Sequence, residues 1–371
     1  MVRAGGGADF EAAAFKGRIR ANKALAVERL APAVLIVGNS RALYAYRPEH
    51  PGWPQRPVYN LALEGATLYE YGRYLTHAAA GRRPALGVVS FDLIAFTSAE
   101  TQRADFEELA LRTDEAGVEK PWPLGNRLFA SLSFDLLEDN VAHLLGSDDG
   151  EANRFRQDGL RDGGEFLARA ARAAEGQLGF FRAIDRRIAG NLKDCRLALP
   201  RAERFAELRR LVGFAVERGI PLRLVFDPVH LRRLLIYRLT GGLDSHAAVE
   251  PRLADVPAAA RAAGGDVRVF DFSGLSPYVT ELPAADPAAP PATWFYESSH
   301  FTPALGDRIL DQLLGAAPPQ GDFGAELRPE TLEDLLARQS AALEQWIAAN
   351  PAVPAEMAAL LAEGCAAQKS K

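Results

Sequence analysis

The chain has 371 residues, of which 48% are hydrophobic, and a formal net charge of -5 at pH 7. A chain of this length and composition can bury a large core, which excludes a disordered protein. The basic residues are mostly arginines, and they are scattered instead of clustered with aromatic side chains, so nucleic acid is not an expected partner. No segment approaches about 20 consecutive apolar residues, so no membrane-spanning helix is expected.

The residues that commonly bind metals show no ligand spacing, so neither a metal nor a cofactor is expected. The two cysteines, Cys195 and Cys365, give neither a metal pattern nor a disulfide framework. No apolar signal core follows Met1, although the abrupt glycine-rich start is compatible with an upstream membrane anchor. Residues 10–30 have helical spacing and predict an N-terminal helix.

Short apolar runs then alternate with helical segments. Residues 34–37, 58–63 and 86–92 each predict a buried strand. Thr67 is placed to cap a helix over residues 68–80, because its hydroxyl can accept hydrogen bonds from first-turn amides. Strands and helices that alternate at this spacing predict an α/β fold with a central parallel sheet, a three-layer α/β/α sandwich.

Residues 98–200 interrupt this alternation. They are charged, helical in period and without strong strands, so they predict a helical insertion or lid. The alternation resumes with strands at residues 221–226 and 267–270, and a Pro/Ala-rich loop leads to a helix that begins near Pro303. Near the end of the chain, residues 329–366 predict two amphipathic helices, separated by Pro351 and Pro354.

These features divide the chain into four predicted parts. Residues 1–31 are the predicted N-terminal helix, and residues 32–97 with 201–316 are a sheet-containing domain built from two segments. Residues 98–200 are the insertion between those segments, and residues 317–371 are a helical tail.

The end of the first strand is the most informative motif. It reads Val34-Leu-Ile-Val-Gly38-Asn39-Ser40-Arg41, which places the Ser40 hydroxyl at a strand-to-helix corner where unpaired backbone amides stabilise an anion. A nucleophile is commonly placed at such a corner, although the same turn also occurs as an ordinary structural turn or a phosphate contact.

A second motif, Glu297-Ser-Ser-His300, lies near the other end of the domain. Ligands of parallel α/β sheets bind outside the carboxyl ends of the strands, where we expect both motifs, Asp92 and residues 227–230 to converge. Because the members of a catalytic triad meet in space in variable chain order, Ser40, His300 and Glu297 are candidates for a Ser-His-acid triad. A histidine among aromatic residues can also be a packed structural residue.

Taken jointly, these motifs resemble the SGNH (GDSL-like) hydrolase superfamily. The resemblance rests on Gly38-Asn39-Ser40-Arg41, the isolated Gly65 after the second strand, and the acid-x-x-histidine motif. The chain is more closely similar to bacterial envelope proteins of that fold that act as acyl-transfer partners of membrane-bound O-acyltransferases, such as alginate O-acetyltransferases and the D-alanine transfer protein of teichoic acid synthesis. This closer similarity spans roughly residues 20–345 and rests on motifs at residues 59–62, 227–230, 271–274 and 299–301.

The resemblance implies an SGNH/flavodoxin-like sandwich in which Ser40 is the nucleophile, His300 the general base and Glu297 the orienting acid. It also implies that the backbone N–H groups of Ser40 and Gly65 bind the oxyanion. A polysaccharide or other hydroxyl acceptor, a membrane-bound O-acyltransferase partner, and a periplasmic or cell-envelope location are implied on the same basis.

The sequence departs from the superfamily pattern in two ways. The acid before His300 is glutamate, not the commoner aspartate. The Gly-x-Asn-Asp block after the third strand, which usually supplies an asparagine donor to the oxyanion, is replaced by Ser90-Phe91-Asp92. An ionised Asp92 would repel an oxyanion, so it must be protonated, paired with Arg41 or turned away.

Several polar residues have two open interpretations. Asn60 could donate to the oxyanion or cap a turn, and His230 could contact an acceptor hydroxyl or face solvent after a proline turn. Arg41 and Asp92 join His230 as candidate substrate contacts. The remaining histidines, in loop or helix-surface contexts, are expected to be ordinary, at positions His50, His77, His143 and His246.

The predicted activity is transfer of an acyl group, most simply acetyl, to or from polysaccharide hydroxyls through an acyl-serine. Two alternatives remain open. An esterase would use the same residues with water as acceptor, and an inactive scaffold or carbohydrate-binding protein would keep the fold without the chemistry.

Overall fold

The computed structural model describes residues 19–120 and 155–369. Within them lies a six-stranded sheet with strand order β2-β1-β3-β4-β5-β6. The first five strands are parallel, and β6 pairs with β5 in the antiparallel direction. Their bounds are β1 Val34–Val37, β2 Val58–Asn60, β3 Leu86–Phe91, β4 Leu222–Phe226, β5 Val267–Asp271 and β6 Ala325–Glu326.

Helices connect the strands and cover both faces of the sheet. In the first half of the chain they are α1 Ile19–Leu30, α2 Ser40–Ala45, α3 Leu68–Gly81, α4 Leu93–Thr97, α5 Gly164–Arg172 and α6 Gly176–Gly190. In the second half they are α7 Ala202–Glu217, α8 Leu231–Thr240, α9 Gly242–Ala254, α10 Val256–Ala262, α11 Pro303–Leu313, α12 Pro329–Ala349 and α13 Ala352–Lys369.

Alternate residues of each buried strand point to opposite helical layers. In β1, Leu35 and Val37 join the apolar cluster that contains α1, α3 and α7, while Val34 and Ile36 join the cluster that contains α2, α5, α6 and α11. A strand covered on both faces needs such a continuous apolar run. The predicted three-layer α/β/α sandwich is therefore confirmed.

The predicted cap of α3 is confirmed as well. The Thr67 hydroxyl accepts from the Glu70 N–H at 3.3 Å, and the Glu70 carboxylate accepts from the Thr67 N–H at 3.3 Å, which together make a capping box. In the tail, α13 begins at Ala352 and contains Pro354 in its first turn, where the missing N–H is not needed. Of the two prolines, only Pro351 therefore lies between the tail helices, together with Asn350.

The predicted helical insertion is confirmed, although not every described residue of the insertion is helical. Its described helices are α5 and α6, whereas residues 98–120 form turns and extended loop around a 3-10 turn at Glu108–Ala110. Residues 10–18 of the predicted first helix and residues 121–154 of the insertion lie outside the described residues. Strand β6 was not predicted, because two residues are too short to show a period.

A disulfide fastens the tail to the insertion. Cys195 and Cys365 are bonded with their Cα atoms 5.7 Å apart, across a sequence separation of 170 residues. The expectation that the cysteines form no disulfide framework is therefore wrong. With only two cysteines, the chain has no spacing pattern from which the pair could be recognised. Along the described chain, no helix is both long and apolar enough to cross a membrane.

Helix α1 is tied to the sheet by a buried lysine. Lys23 is fully buried, and its Nζ donates to the carbonyl oxygens of Asn60 at 2.8 Å, Ala62 at 2.6 Å and Gly159 at 2.8 Å. Three acceptors match the three N–H donors of an ammonium group. One side chain thus joins α1, the loop after β2 and the insertion.

Replacing Lys23 with Met should destabilise the protein by about 3 kcal/mol or more, because the three carbonyls would lose a buried donor. Denaturant unfolding measures this change. The control, Arg29→Met, alters an exposed residue of the same helix and should stay within about 0.5 kcal/mol of wild type. An equally small effect of Lys23→Met would show that Lys23 does not tie these segments together.

Candidate active site

The candidate nucleophile opens helix α2. Asn39 is the N-cap, and its Oδ1 accepts from the Arg41 N–H at 3.0 Å. Gly38 allows the close approach of β3, because a Cβ at this position would lie 2.9 Å from both the Ser90 carbonyl oxygen and the Ala42 Cβ. Ser40 is the first helical residue, so its N–H has no acceptor within the helix.

The candidate base and acid share a tight turn. An antiparallel bridge pairs Phe295 with Phe301, and within it the Tyr296 N–H donates to the His300 carbonyl at 2.9 Å. The Glu297 carboxylate accepts from the backbone N–H groups of Ser299 at 2.9 Å and His300 at 3.1 Å. These bonds fold the glutamate side chain back over its own turn.

The structure brings the three predicted triad residues together. His300 Nε2 lies 2.8 Å from Ser40 Oγ, and His300 Nδ1 contacts Glu297 Oε1. Glu297 is 1% exposed, and the His300 side chain is 18% exposed. Glutamate reaches the ring despite its extra methylene, because the turn holds its carboxylate at the right distance. The arrangement suits proton transfer from the serine hydroxyl to the histidine.

The charge of Glu297 is stabilised in place. Burial by itself would raise the pKa of Glu297, but the His300 ring, the Ser299 N–H and the Arg41 charge outweigh burial and hold the pKa below its ordinary value. The acid is therefore ionised at neutral pH, where it can fix the ring orientation and stabilise an imidazolium.

Asp92 pairs with Arg41, one of the three resolutions that the sequence left open. Arg41 Nη1 lies 2.6 Å from Asp92 Oδ2, and Asn39 Nδ2 donates to Asp92 Oδ1 at 3.2 Å. The side chains of Arg41 and Asp92 are 7% and 2% exposed, so neither is an open substrate contact. Instead, Asp92 braces the residues on either side of Ser40 from the end of β3.

Asn60 does not face the oxyanion. It is fully buried, its Nδ2 donates to the carbonyls of Ala42 at 2.8 Å and Tyr46 at 3.0 Å, and its Oδ1 accepts from the Ala62 N–H at 3.0 Å. Both amide hydrogens are used, so the turn-capping alternative describes this residue. Sequence alone could not exclude the oxyanion role, because it does not reveal where α2 ends.

His230 is neither a substrate contact nor a solvent-facing residue. It is fully buried as the N-cap of α8, with Nδ1 accepting from the Arg232 N–H at 3.2 Å and Nε2 2.8 Å from the Glu281 carbonyl. Burial lowers the pKa of His230 to about 4. Its backbone N–H donates to the Ser298 carbonyl oxygen at 3.2 Å, so His230 helps to hold the turn that carries Glu297 and His300.

The other described histidines, expected in loop or helix-surface contexts, are less exposed than such contexts imply. His50 and His77 are buried, and His77 Nε2 lies 2.9 Å from the Ala24 carbonyl. His246 is partly buried and lies 3.4 Å from Glu250. His143 is outside the described residues.

The predicted oxyanion donors are two backbone N–H groups. Gly65 has φ +59, the left-handed region that favours glycine, and its N–H donates to no acceptor among residues 19–120 and 155–369. The adjacent Glu64 lines the same cavity as Ser40. Gly65 and Ser40 remain the predicted oxyanion donors.

Sequence reasoning missed the residues that surround the triad. A cavity of about 540 Å³ opens beside Ser40 and His300, and Phe166 lies over the His300 ring with the centroids 5.0 Å apart. Tyr44 follows Ser40 by one helical turn, a spacing that could have placed it on the same face. Glu64 comes from the loop after β2, and the other missed neighbours come from the insertion, which carries no recognisable motif. The missed residues are Tyr44, Glu64, Phe155, Arg161, Glu165, Phe166, Arg169 and Arg187.

A buried carboxyl, that of Asp227, lies near the turn at residues 38–41 that carries Ser40. Asp227 follows β4 and accepts from the Tyr46 hydroxyl at 2.7 Å and from the Ser90 hydroxyl. Burial raises the pKa of Asp227 to about 7, although these hydrogen bonds and the Arg41 charge oppose the rise. Asp227 therefore changes protonation near neutral pH, out of contact with solvent.

No protein-family model matches the chain, and no curated protein matches it. Among the residues that the structure describes, no group of three or more His, Cys, Asp or Glu side chains is placed to hold a metal ion.

If Ser40 is the nucleophile, Asp92→Ala should slow its labelling by a fluorophosphonate by roughly 10- to 100-fold, because Asn39 and Arg41 on either side of Ser40 lose their contacts with Asp92. It should also destabilise the fold by about 3–5 kcal/mol, since Arg41 would remain as an unpaired buried charge. Asp92→Asn keeps an acceptor for Asn39 and should recover part of the rate. Fluorophosphonate labelling and denaturant unfolding, run in parallel, separate positioning from stability.

The control for these variants is Asp334→Ala on the exposed face of α12, which should change neither quantity. If folded Asp92→Ala reacts at the wild-type rate, Asp92 contributes stability alone.

Asp227 should make the protein less stable as the pH rises. Its pKa of about 7 in the folded state lies above the ordinary aspartate value of about 3.9, so the folded state binds the extra proton between these limits. The stability that Asp227 gives the folded state by binding this proton is fully present below about pH 4 and is lost as the pH rises through about 7. Over this range, the free energy of unfolding of Asp227→Asn, measured in urea, should rise relative to that of wild type by up to about 1.4 kcal/mol for each pH unit.

The exposed control, Asp334→Asn, should run parallel to wild type over the same range. A constant difference in stability between Asp227→Asn and wild type would rule out a raised pKa.

Proposed function

We propose that the protein transfers an acyl group, most simply acetyl, to or from hydroxyls of a cell-envelope or exported polysaccharide through a covalent acyl-serine. The carrying observation is the 2.8 Å contact between Ser40 Oγ and His300 Nε2, with Glu297 on the other ring nitrogen. The contact opens to a cavity of about 540 Å³, large enough for part of a substrate.

In the first step, Ser40 Oγ attacks the acyl carbonyl carbon while His300 Nε2 removes the hydroxyl proton. The backbone N–H groups of Ser40 and Gly65 are the proposed donors to the tetrahedral oxyanion. The intermediate then collapses: the bond to the donor's leaving oxygen breaks, and His300 returns the proton to that oxygen. Glu297 stabilises the imidazolium that exists between the two proton transfers.

In the second step, an acceptor hydroxyl attacks the acyl carbon, and His300 takes its proton. The bond to Ser40 Oγ breaks, and the serine recovers its proton from His300. Water in place of the sugar hydroxyl would make the protein an esterase with the same residues. The assembled triad supports either enzyme over the inactive scaffold, which would have no need to retain a serine within hydrogen-bond distance of a paired histidine.

The disulfide supports an extracytoplasmic location, because such bonds persist in oxidising compartments such as the bacterial periplasm. Periplasmic or cell-envelope placement fits the resemblance to envelope acyl-transfer proteins. On that resemblance alone, a membrane-bound O-acyltransferase is the proposed partner that supplies the acyl group.

Glu297→Gln should preserve the fold but slow turnover of an activated acetyl ester by roughly 10²- to 10⁴-fold, because an amide cannot stabilise the imidazolium and favours the wrong tautomer. Ser40→Ala sets the floor, since it removes the attacking oxygen. Ser340→Ala and Glu217→Gln make the same chemical changes at exposed positions and should retain the wild-type rate. The measurement is steady-state ester hydrolysis with circular dichroism on each variant.

Two outcomes would contradict this assignment. Wild-type turnover by Ser40→Ala would identify another nucleophile. A rate within a few-fold of wild type for Glu297→Gln would remove Glu297 from the triad.

A further inference from the structure

The cavity beside the triad has a polar wall that the two chemical steps do not use. The Tyr44 hydroxyl oxygen lies 2.8 Å from Glu64 Oε1, and Arg161 Nη1 contacts the same Glu64 oxygen. Arg161 Nη2 lies 3.3 Å from Glu165 Oε1, which also contacts the Tyr44 hydroxyl. Arg161 thereby joins two carboxylates, one from the loop after β2 and one from the insertion.

One oxygen of this wall is available to a ligand. Glu64 Oε1 contacts Arg161 Nη1 and the Tyr44 hydroxyl, whereas Glu64 Oε2 accepts from no residue in the described parts of the chain. The Glu64 side chain is 50% exposed and lines the cavity. A carboxylate fixed through one oxygen presents the other as an oriented acceptor, which suits a hydroxyl donor.

Aromatic rings border the same cavity. Phe166 packs against His300 and stacks on Tyr296 with the centroids 5.1 Å apart, and the Arg161 guanidinium lies 5.1 Å from the centre of the Phe155 ring. Phe155 and Phe166 make part of the cavity wall apolar, and the neighbouring carboxylate suits the hydroxyls of a sugar. Charges in the lining nearly balance, because two glutamates accompany three arginines, so the site does not require a strongly charged ligand.

We propose that Glu64, held by Tyr44 and Arg161, forms the acceptor subsite and binds a sugar ring with adjacent hydroxyl groups. This inference rests on the proposed function, since it assigns the acceptor of that reaction. One hydroxyl attacks the acyl carbon and gives its proton to His300 Nε2, as the bond to Ser40 Oγ breaks and the serine regains a proton. The neighbouring hydroxyl donates to Glu64 Oε2, which positions the sugar and favours transfer over hydrolysis.

The experiment measures how acetyl-Ser40 is partitioned. Wild type, Glu64→Gln and the control Glu217→Gln react with p-nitrophenyl acetate in the presence of methyl β-D-glucopyranoside or, separately, 1-propanol. The nitrophenol burst reports acylation, and mass spectrometry reports acetylated acceptor. Wild type should acetylate the glycoside at least roughly tenfold better than 1-propanol at equal concentration, because a hydrogen bond to a charged group discriminates by about that factor or more.

Glu64→Gln should lower the ratio of acetylated glycoside to acetylated 1-propanol by roughly tenfold or more, because the sugar loses its charged hydrogen-bond acceptor. Glu217→Gln should behave as wild type. Equal partitioning by Glu64→Gln and wild type, or no preference of wild type for the glycoside, would overturn the acceptor subsite while leaving the acyl-enzyme intact.

A wild-type protein that shows no burst would instead contradict the proposed function. In that case, saturation-transfer NMR with the same glycoside decides the inference without turnover. Binding that weakens in Glu64→Gln supports the sugar subsite, and equal binding by both proteins, or none by either, overturns it.

Discussion

The site depends on a single hydrogen bond between residues 260 positions apart, Ser40 and His300. Neither segment could hold its partner at 2.8 Å by local structure alone. The contact exists because a parallel sheet places the end of β1 and the turn bounded by Phe295 and Phe301 at the same edge. Every element that fixes this edge therefore contributes to the proposed chemistry, including Gly38, which lets β3 approach the turn that carries Ser40.

Buried polar groups hold the residues at this edge of the sheet, where Ser40 and His300 meet. The pair formed by Asp92 and Arg41 braces the residues around Ser40, and Asp227 is bonded to Ser90 and Tyr46 in the same region. Burying charges is costly unless they are paired, so these groups make the geometry sensitive to single substitutions. Pairing with the Arg41 guanidinium would also limit the repulsion between Asp92 and the proposed oxyanion.

The sequence was sufficient to predict the parallel strands, the Thr67 cap and the residues of the candidate triad, because each leaves a local signature of periodicity, capping or spacing. Asn60 and His230 were harder, since their partners are backbone groups of distant segments. The disulfide and the contacts of Arg161 with Glu64 and Glu165 depend on how the insertion folds back on the domain, and no short motif encodes that packing. Residues with polar side chains at the correct sheet edge were thus easier to locate than to assign as open or buried.

The most direct test of the covalent account is rapid-quench mass spectrometry of the wild-type protein with a chromogenic acetyl ester, followed by peptide mapping. The account predicts an acetyl group on Ser40 that forms with the chromogenic burst and decays at the rate of turnover. Ester turnover with no adduct, or with the acetyl group on another residue, would contradict it.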